Sequence, residues 1–403
     1  MRFGQPVFRR AALTALLAGG VALLAGCGGG MSLGDLSSEP PPGAPPPGAP
    51  PPETTGAIGT GQVKVGLLLP LSAGGNAGAA ALSMKNAAEM ALAEFQSPNV
   101  QLLVKDDGGT AAGAQQAAQQ AIAEGAEIIL GPLFAHSVGA AGQVARPRGI
   151  PLIAFSTDSS VAARGVYLLS FLPESDVERV VDYTVSQGKR SFAALVPDNA
   201  YGSVAEAAFR QAAARKGARV VALERYPTDP AAMQQAVRTV AQAAGRADAI
   251  FIPDTAETLP GVVQALGTNG VTLRKVQLLG TGVWDDSRIF ADTSLHGAWY
   301  AAPDSAGFRT FSNRYRSRFG QDPLRTATLA YDSVALVAAL VKTQGAERFS
   351  EATLTNSSGF AGIDGLFRFR ADGTNERGLA VLRVAPSAGQ VVSPPPRAFG
   401  SGT

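Results

Sequence analysis

Short, nearly continuous apolar segments alternate with helical segments, and this alternation constrains the fold more than any other feature of the chain. The first four apolar segments are Val63–Leu69, Val100–Val104, Ala126–Leu130 and Pro151–Phe155. Such runs are typical of strands that are buried on both faces of a parallel sheet. Between the first two segments, Met84, Ala88 and Leu92 recur at helical spacing. Strands and helices in alternation predict a doubly wound α/β sheet.

The same alternation occurs a second time after residue 190. It predicts strands over Ser191–Val196, Arg219–Leu223, Asp248–Ile252 and Val276–Leu279, separated by alanine-rich helices over Gly202–Lys216, Pro230–Ala244 and Ala256–Leu266. From Val63 to Val384 the folded part has about 320 residues, which exceeds the usual size of a single core. We therefore expect two domains, each with a sheet of the same class.

Residues 1–26 have the order of a secretion signal. Arg9 and Arg10 precede an apolar run from Ala11 to Ala25, which is shorter than the roughly 20 residues that a membrane-spanning helix needs. Cys27, the only cysteine of the chain, directly follows two small residues. This order resembles the bacterial lipoprotein signal and predicts that Cys27 is acylated and anchors the protein to a membrane. The alternatives are an ordinary signal peptide with an incidental cysteine, or a helix that spans the membrane.

The ends of the chain differ in composition from the part between them. Residues 40–52 read PPPGAPPPGAPPP, which cannot form a helix or a central strand. We expect residues 27–62 to be a flexible tether, and a proline-rich docking site is the alternative. Residues 387–403 are rich in proline, serine and glycine and predict a disordered tail.

Charge argues against nucleic acid as a partner. Removal of residues 1–26 takes away three arginines and no acid, which changes the formal net charge from +2 to −1. No sustained lysine or arginine run remains, whereas nucleic-acid-binding proteins carry basic patches.

Few residues suited to catalysis are available. The two histidines are His136 and His296, and acylation would leave no free thiol. A histidine-based zinc site, a serine triad or a cysteine nucleophile needs more than this. The glycine-rich turns lack the Gly-Lys-Ser/Thr of a phosphate loop, and Asp106–Asp107 has no accompanying oxygen ligands for a metal. The sequence predicts a protein that is not an enzyme and that holds no cofactor and no metal.

Three motifs occur in an order that resembles one family. Phe360–Gly373 matches the pattern F-x-G-x-x-G-x-x-x-F-x-x-D-G, Pro197–Gly202 contains D-x-x-Y-G, and Gly131-Pro132 ends a predicted strand. Together with the strand order, these motifs resemble the type I periplasmic binding proteins, in the leucine/isoleucine/valine-binding branch that serves ABC transporters. The resemblance covers residues 63–385.

The resemblance implies two doubly wound, Rossmann-like lobes joined by three crossovers, with a small ligand between them. Lobe 1 would comprise residues 63–170 and 302–376, and lobe 2 residues 171–301 and 377–386. It implies a receptor in the periplasm that binds an amino-acid-like ligand or another small carboxylate and delivers it to an ABC permease. The family's ligand loops correspond to Ala135, His136, Ser137, Ser156, Thr157, Asp158, Tyr201, Thr255, Gly282 and Trp284.

Two positions depart from the branched-chain receptors. Gly282 stands where those receptors carry a glutamate that pairs with the ligand ammonium, and a buried ammonium without a partner is costly. Asp158 either replaces that glutamate or caps a helix. Trp284 either forms the floor of a ligand pocket or packs in the core, and His136 either contacts ligand or is structural.

The missing glutamate and the lipoprotein signal also resemble a sibling group, the penicillin-binding-protein activator lipoproteins. These use the same fold to contact a peptidoglycan synthase. The resemblance therefore leaves two functions open, a transport receptor and a protein activator.

Overall fold

The computed structural model describes residues 56–95, 98–227 and 229–399. The predicted signal, Cys27 and the proline-rich segment lie outside these residues, so what the sequence predicts for them stays a prediction. In the described ranges, no helix combines the length and the hydrophobicity that crossing a membrane requires.

Residues 56–168 build one sheet with three helices. The elements are β1 (Gly56–Ile58), β2 (Val63–Leu69), α1 (Gly75–Glu94), β3 (Val100–Asp106), α2 (Ala111–Ala123), β4 (Ala126–Leu130), α3 (Ala135–Ala145), β5 (Leu152–Ala154) and β6 (Val166–Leu168). The strand order is β1-β3-β2-β4-β5-β6. Strands β2 to β6 run parallel, and β1 is antiparallel to β3. We refer to this sheet and the elements packed on it as lobe 1.

Residues 173–302 repeat the pattern. The elements are α4 (Pro173–Ser186), β7 (Ser191–Pro197), α5 (Ala200–Arg215), β8 (Arg219–Tyr226), α6 (Pro230–Ala243), β9 (Ala249–Phe251), α7 (Leu259–Thr268), β10 (Gln277–Gly280), α8 (Ser287–Ala291) and β11 (Trp299–Ala302). Parallel strands in the order β8-β7-β9-β10-β11 form the second sheet, the centre of lobe 2. Both sheets have the order 2-1-3-4-5 of a doubly wound fold, as the alternation predicts.

The remaining elements belong partly to lobe 1 and partly to lobe 2. The elements are α9 (Ser305–Phe319), α10 (Ala327–Thr343), α11 (Glu351–Leu354), β12 (Phe360–Gly362), β13 (Gly365–Phe369), β14 (Asn375–Arg377), β15 (Ala380–Ala385) and β16 (Ala388–Ser393). Helix α10 packs on α1, and β12, β13 and β14 form a separate antiparallel sheet. Phe367 and Phe369 from this sheet join the core of lobe 1, whereas β15 and β16 extend the sheet of lobe 2.

Two predictions about the ends of the folded part are wrong. Gly56–Ile58, expected in the tether over residues 27–62, is strand β1, whose Ala57 lies opposite Leu103. Ala388–Ser393, expected in the disordered tail over residues 387–403, is strand β16, whose Val391 lies opposite Leu382. In both places the added strand pairs with a neighbour, β3 or β15, whose backbone groups would otherwise lack partners at the edge of the sheet.

The chain passes between the lobes three times. The crossovers are the segments between β6 and α4, between β11 and α9, and between β14 and β15. The sequence predicts hinges at residues 169–173, 301–304 and 375–378, because these segments fall between strand-rich blocks and carry proline, glycine and polar residues. The crossovers overlap all three segments. That the lobes hinge about these segments stays a prediction.

Candidate functional site

A cavity of about 310 Å³ lies where the crossovers meet. It is lined by Thr157, Phe171, Pro173, Asp176, Tyr201, Gly282, Val283, Asp285, Ala302, Pro303 and Arg325. Apart from Arg325, which precedes α10, these residues lie at or after the carboxyl ends of β5, β6, β10 and β11, or at the start of α4 and α5. Ligands of open α/β sheets bind at such strand ends, and the volume lies at the lower end of the range of small-molecule sites.

Asp176 places a buried carboxylate at the cavity. It lies in the first turns of α4, on the face that also buries Val177 and Val180, and it is 8% exposed. Its Oδ2 accepts a hydrogen bond from the Gly282 backbone N–H at 2.9 Å. Burial raises the pKa of Asp176 to about 7, although the Gly282 hydrogen bond and the positive charge of Arg377 oppose the increase. Asp176 of α4 therefore places a carboxylate directly beside Gly282.

Arg325 places a positive charge at the same cavity. Two of its nitrogens donate to the fully buried carboxylate of Asp364, at 2.9 and 2.6 Å. Its guanidinium stacks on Phe171 and Phe308, with 4.6 Å to each ring centroid. The pairing and stacking fix the guanidinium in one orientation, and 38% of the side chain stays exposed.

Tyr201 is held in the cavity wall by a local turn. It lies in the first turn of α5, which Asn199 caps by accepting from the Gly202 N–H at 2.8 Å. The Tyr201 hydroxyl and Thr281 Oγ1 are 2.7 Å apart and form a hydrogen bond between α5 and the end of β10. Burial raises the pKa of Tyr201, so this hydroxyl is neutral and can donate or accept.

Of the ten residues that the resemblance implies for the pocket, three line this cavity: Thr157, Tyr201 and Gly282. Asp158 is exposed, and its carboxylate accepts from the Ser160 N–H at 2.9 Å. This is the capping interaction that was the alternative to a ligand contact, and it begins a short 3-10 helix over Ser159–Val161. Ser156 is buried, and its hydroxyl accepts from the Asp158 N–H at 3.1 Å.

The residues at the start of α3 lie apart from the cavity. An imidazole nitrogen of His136 is 2.8 Å from the Gly109 carbonyl oxygen, and its ring stacks on Phe134. Ser137 is fully buried and donates to the Thr110 carbonyl at 3.3 Å. Ala135, the first residue of α3, does not line the cavity either.

Trp284 and Thr255 also do not line the cavity. Trp284 is fully buried in the core of lobe 2, and a Cβ on Gly280 would lie 2.1 Å from its ring. The core interpretation of Trp284 is therefore the one that the structure supports, and the pocket-floor interpretation is wrong. Thr255 is exposed and donates its backbone N–H to Asp254.

Sequence reasoning missed Asp176 and Arg325, two of the three charged residues that line the cavity, the third being Asp285. Asp176 had a usable signal, because it falls at helical spacing on the apolar face of α4 with Pro173 and Val180. Arg325 had none, since it precedes α10 in an ordinary polar connection. Among the described residues, no group of three or more His, Cys, Asp or Glu side chains is arranged to hold a metal ion.

Comparison with known proteins gives one family. The family model described as periplasmic binding protein matches residues 62–390. Among curated proteins, an uncharacterized protein of Rickettsia prowazekii (strain Madrid E) is 24% identical over 134 residues, or 33% of this chain. The match spans about a third, 36%, of the length of that relative.

Solved structures of low sequence identity share the fold. A candidate branched-chain amino acid ABC transporter protein of Rhodospirillum rubrum is 20% identical with a TM-score of 0.73, covering 82% of this chain and 99% of its own. A solute-binding protein of Rhodopseudomonas palustris BisB5, in complex with 3,4-dihydroxybenzoic acid, is 20% identical with a TM-score of 0.60 (85% and 98%). A leucine-binding protein of Thermotoga maritima is 17% identical with a TM-score of 0.57 (82% and 98%).

Proposed function

Since the chain belongs to the periplasmic binding protein family, we propose that it is the solute-binding receptor of an ABC import system. The observation that carries this proposal is the cavity at the crossovers, which is lined by both a fixed guanidinium and a buried carboxylate. A binding site at a hinge couples occupancy to lobe closure, which is how such a receptor signals that it is loaded. We propose a binding role and no catalysis.

The cavity favours a small carboxylate with an apolar body. Phe171, Pro173 and Val283 supply apolar walls, and Arg325 offers N–H donors that its bonds to Asp364 and Thr328 do not use. At Asp176 the ligand would present a hydrogen-bond donor, such as an ammonium or a hydroxyl group. An amino acid and a hydroxybenzoate both meet this description, in keeping with what the structural relatives from Thermotoga maritima and Rhodopseudomonas palustris are named for binding.

We further propose that the receptor is a lipoprotein of the periplasm. Acylation of Cys27 would anchor it, residues 28–55 would hold the folded part away from the membrane, and an ABC permease would receive the ligand. We expect Cys27→Ser to release the protein from the membrane fraction and to remove the mass of the lipid. Unchanged fractionation and unchanged mass would contradict the anchor without affecting the proposed receptor.

Titration calorimetry tests the binding function. The protein is titrated with the twenty amino acids, benzoate, hydroxybenzoates and peptidoglycan fragments, and each ligand that binds is measured again with two variants. Asp176→Asn removes a charge-assisted contact worth about 1.5–3 kcal/mol, so we expect affinity to fall roughly ten- to a hundredfold. Asp158→Asn is the matched control, because Asp158 is exposed and bonded to its own turn.

The outcomes distinguish the two functions that the sequence leaves open. Binding that Asp176→Asn weakens and Asp158→Asn preserves supports the receptor and its site. Binding that neither variant weakens supports a receptor with its site elsewhere. No heat with any compound, together with a peptidoglycan synthase that co-purifies from the envelope, contradicts the receptor and favours the activator.

A further inference from the structure

The end of the described chain bridges the two lobes. Strand β16 belongs to the sheet of lobe 2 and ends at Ser393. Six residues later, the ring of Phe399 lies under the Arg368 guanidinium, 4.6 Å from its carbon, on the three-stranded sheet. That sheet contributes Phe367 and Phe369 to the core of lobe 1. We call Ser393–Phe399 the latch.

The lobe 2 end of the latch is held by a single arginine. Arg179 of α4 donates from Nη2 to the Ser393 hydroxyl at 2.6 Å and to the Pro394 carbonyl at 3.2 Å. From Nε it donates to the Leu379 carbonyl at 2.8 Å. Leu379 belongs to the third crossover, between β14 and β15. Arg179 therefore ties the latch and a crossover to the same helix.

The middle of the latch is stiff and runs along that crossover. Residues 394–396 are three consecutive prolines, which fix φ and favour an extended polyproline II conformation. A Cβ built on Gly378 would lie 3.1 and 3.3 Å from ring carbons of Pro396. Gly378 does not need positive φ, so its lack of a side chain is explained by the close approach of the latch. Because the prolines keep this segment extended, a force that separates the lobes is transmitted between the Arg179 contacts and the Phe399 contact.

The latch and the ligand cavity lie on different faces of α4. Ser175, Arg179 and Asp182 face the latch at helical spacing, whereas Pro173 and Asp176 line the cavity. Any rotation of α4 relative to lobe 1 about the crossovers would change the distance between Arg179 and Arg368. A stiff connection between these two anchors resists that change.

From these contacts we infer that Ser393–Phe399 is an interlobe latch, an additional, non-covalent connection beside the three crossovers that restrains separation of the lobes. The contacts require no ligand, so the inference goes beyond the proposed function and does not depend on it. The latch sets how far the empty protein opens, which is a regulatory property of the hinge.

Interlobe distances test the latch. The full-length chain carrying Cys27→Ser has no other thiol, so Gln119→Cys on α2 and Gln264→Cys on α7, both exposed, accept one spin label in each lobe. Pulsed electron spin resonance then gives the distribution of distances between the lobes. A chain that stops after Ser393 loses the latch beyond its first residue, and a chain that stops after Gly400 is the matched control.

We expect the chain that ends at Ser393 to show a broader distribution with a new population at longer distance, and the control to match the parent. Phe399→Ala and Gly378→Ala should give the same change to a smaller extent. Both variants keep the full chain, so they test the latch even if the truncated chain does not fold. Distributions that coincide in the parent, Phe399→Ala and Gly378→Ala would overturn the latch, whether or not any ligand binds.

Discussion

The strand-end loops of lobe 1 and the cavity at the crossovers use similar residues in opposite ways. In lobe 1, His136 pairs with Gly109 and Ser137 with Thr110, so these two polar side chains are bonded within the loops. At the crossovers, Asp176 and Arg325 are held in place by bonds on one side and face the cavity on the other. The lobe 1 side chains His136 and Ser137 are bonded within their own loops, whereas Asp176 and Arg325 line the candidate site.

This difference shows that strand ends specify where a site can form but not which lobe supplies it. Both sheets have the same strand order, and the resemblance implies ligand contacts from the loops of both lobes. Lobe 2 and the crossovers contribute nine of the eleven cavity residues. The other two are Thr157, which follows a lobe 1 strand, and Arg325, which precedes the helix that packs on α1. The decisive charges come from a helix start, Asp176, and from the connection before α10, Arg325.

The largest effect is expected when the charge pair at the crossovers is broken. Arg325→Ala leaves the carboxylate of Asp364 fully buried without its cation, which typically costs about 3–5 kcal/mol. The control is Arg318→Ala, whose ion pair with Glu89 lies at the surface of lobe 1 and is worth about 0–1 kcal/mol. Denaturant unfolding measures both. Equal losses in the two variants would show that the Arg325 pair is no more than a surface contact.

The fold was more predictable from sequence than the site, and for a physical reason. Periodicity located β2 at Val63–Leu69 and β4 at Ala126–Leu130, because burial on both faces of a sheet requires continuous apolar runs. It could not locate β1 or β16, which are short edge strands selected by pairing and not by burial. Loop residues such as His136 were assigned from resemblance, and whether a loop closes on itself or faces a cavity depends on contacts between segments distant in sequence.

Replacing one buried aspartate in each region is expected to have a smaller effect on stability, and that effect is a gain. Burial raises the pKa of Asp176 to about 7 and that of Asp107, at a lobe 1 strand end, to about 6. A raised carboxyl pKa means that the folded protein binds a proton more tightly than the unfolded chain, so stability falls as pH rises from about 4 to about 7. At pH 8, Asp176→Asn and Asp107→Asn should each be more stable than the parent.

One pKa unit corresponds to about 1.4 kcal/mol, so the gain is on the order of 3 kcal/mol at Asp107 and 4 kcal/mol at Asp176, and it disappears below about pH 4. Unfolding as a function of pH measures it. Only Asp176→Asn should also weaken the ligand, because only Asp176 lines the cavity. A gain in stability with no loss of affinity at Asp176 would mean that its carboxylate serves neither folding nor binding at neutral pH.

The smallest effect on stability is expected for a substitution of His136. This substitution tests most directly whether the lobe 1 loops differ from the crossover cavity. The residue is exposed, and it contacts the Gly109 carbonyl and the ring of Phe134, which is 5.8 Å away between centroids. Because one hydrogen bond contributes about 0.5–1.5 kcal/mol, His136→Ala should lower stability by about 1 kcal/mol and leave ligand affinity unchanged. Calorimetry beside Asp176→Asn decides the point. If His136→Ala weakens the ligand as strongly, the lobe 1 loops reach the ligand when the lobes close, and the site belongs equally to both lobes.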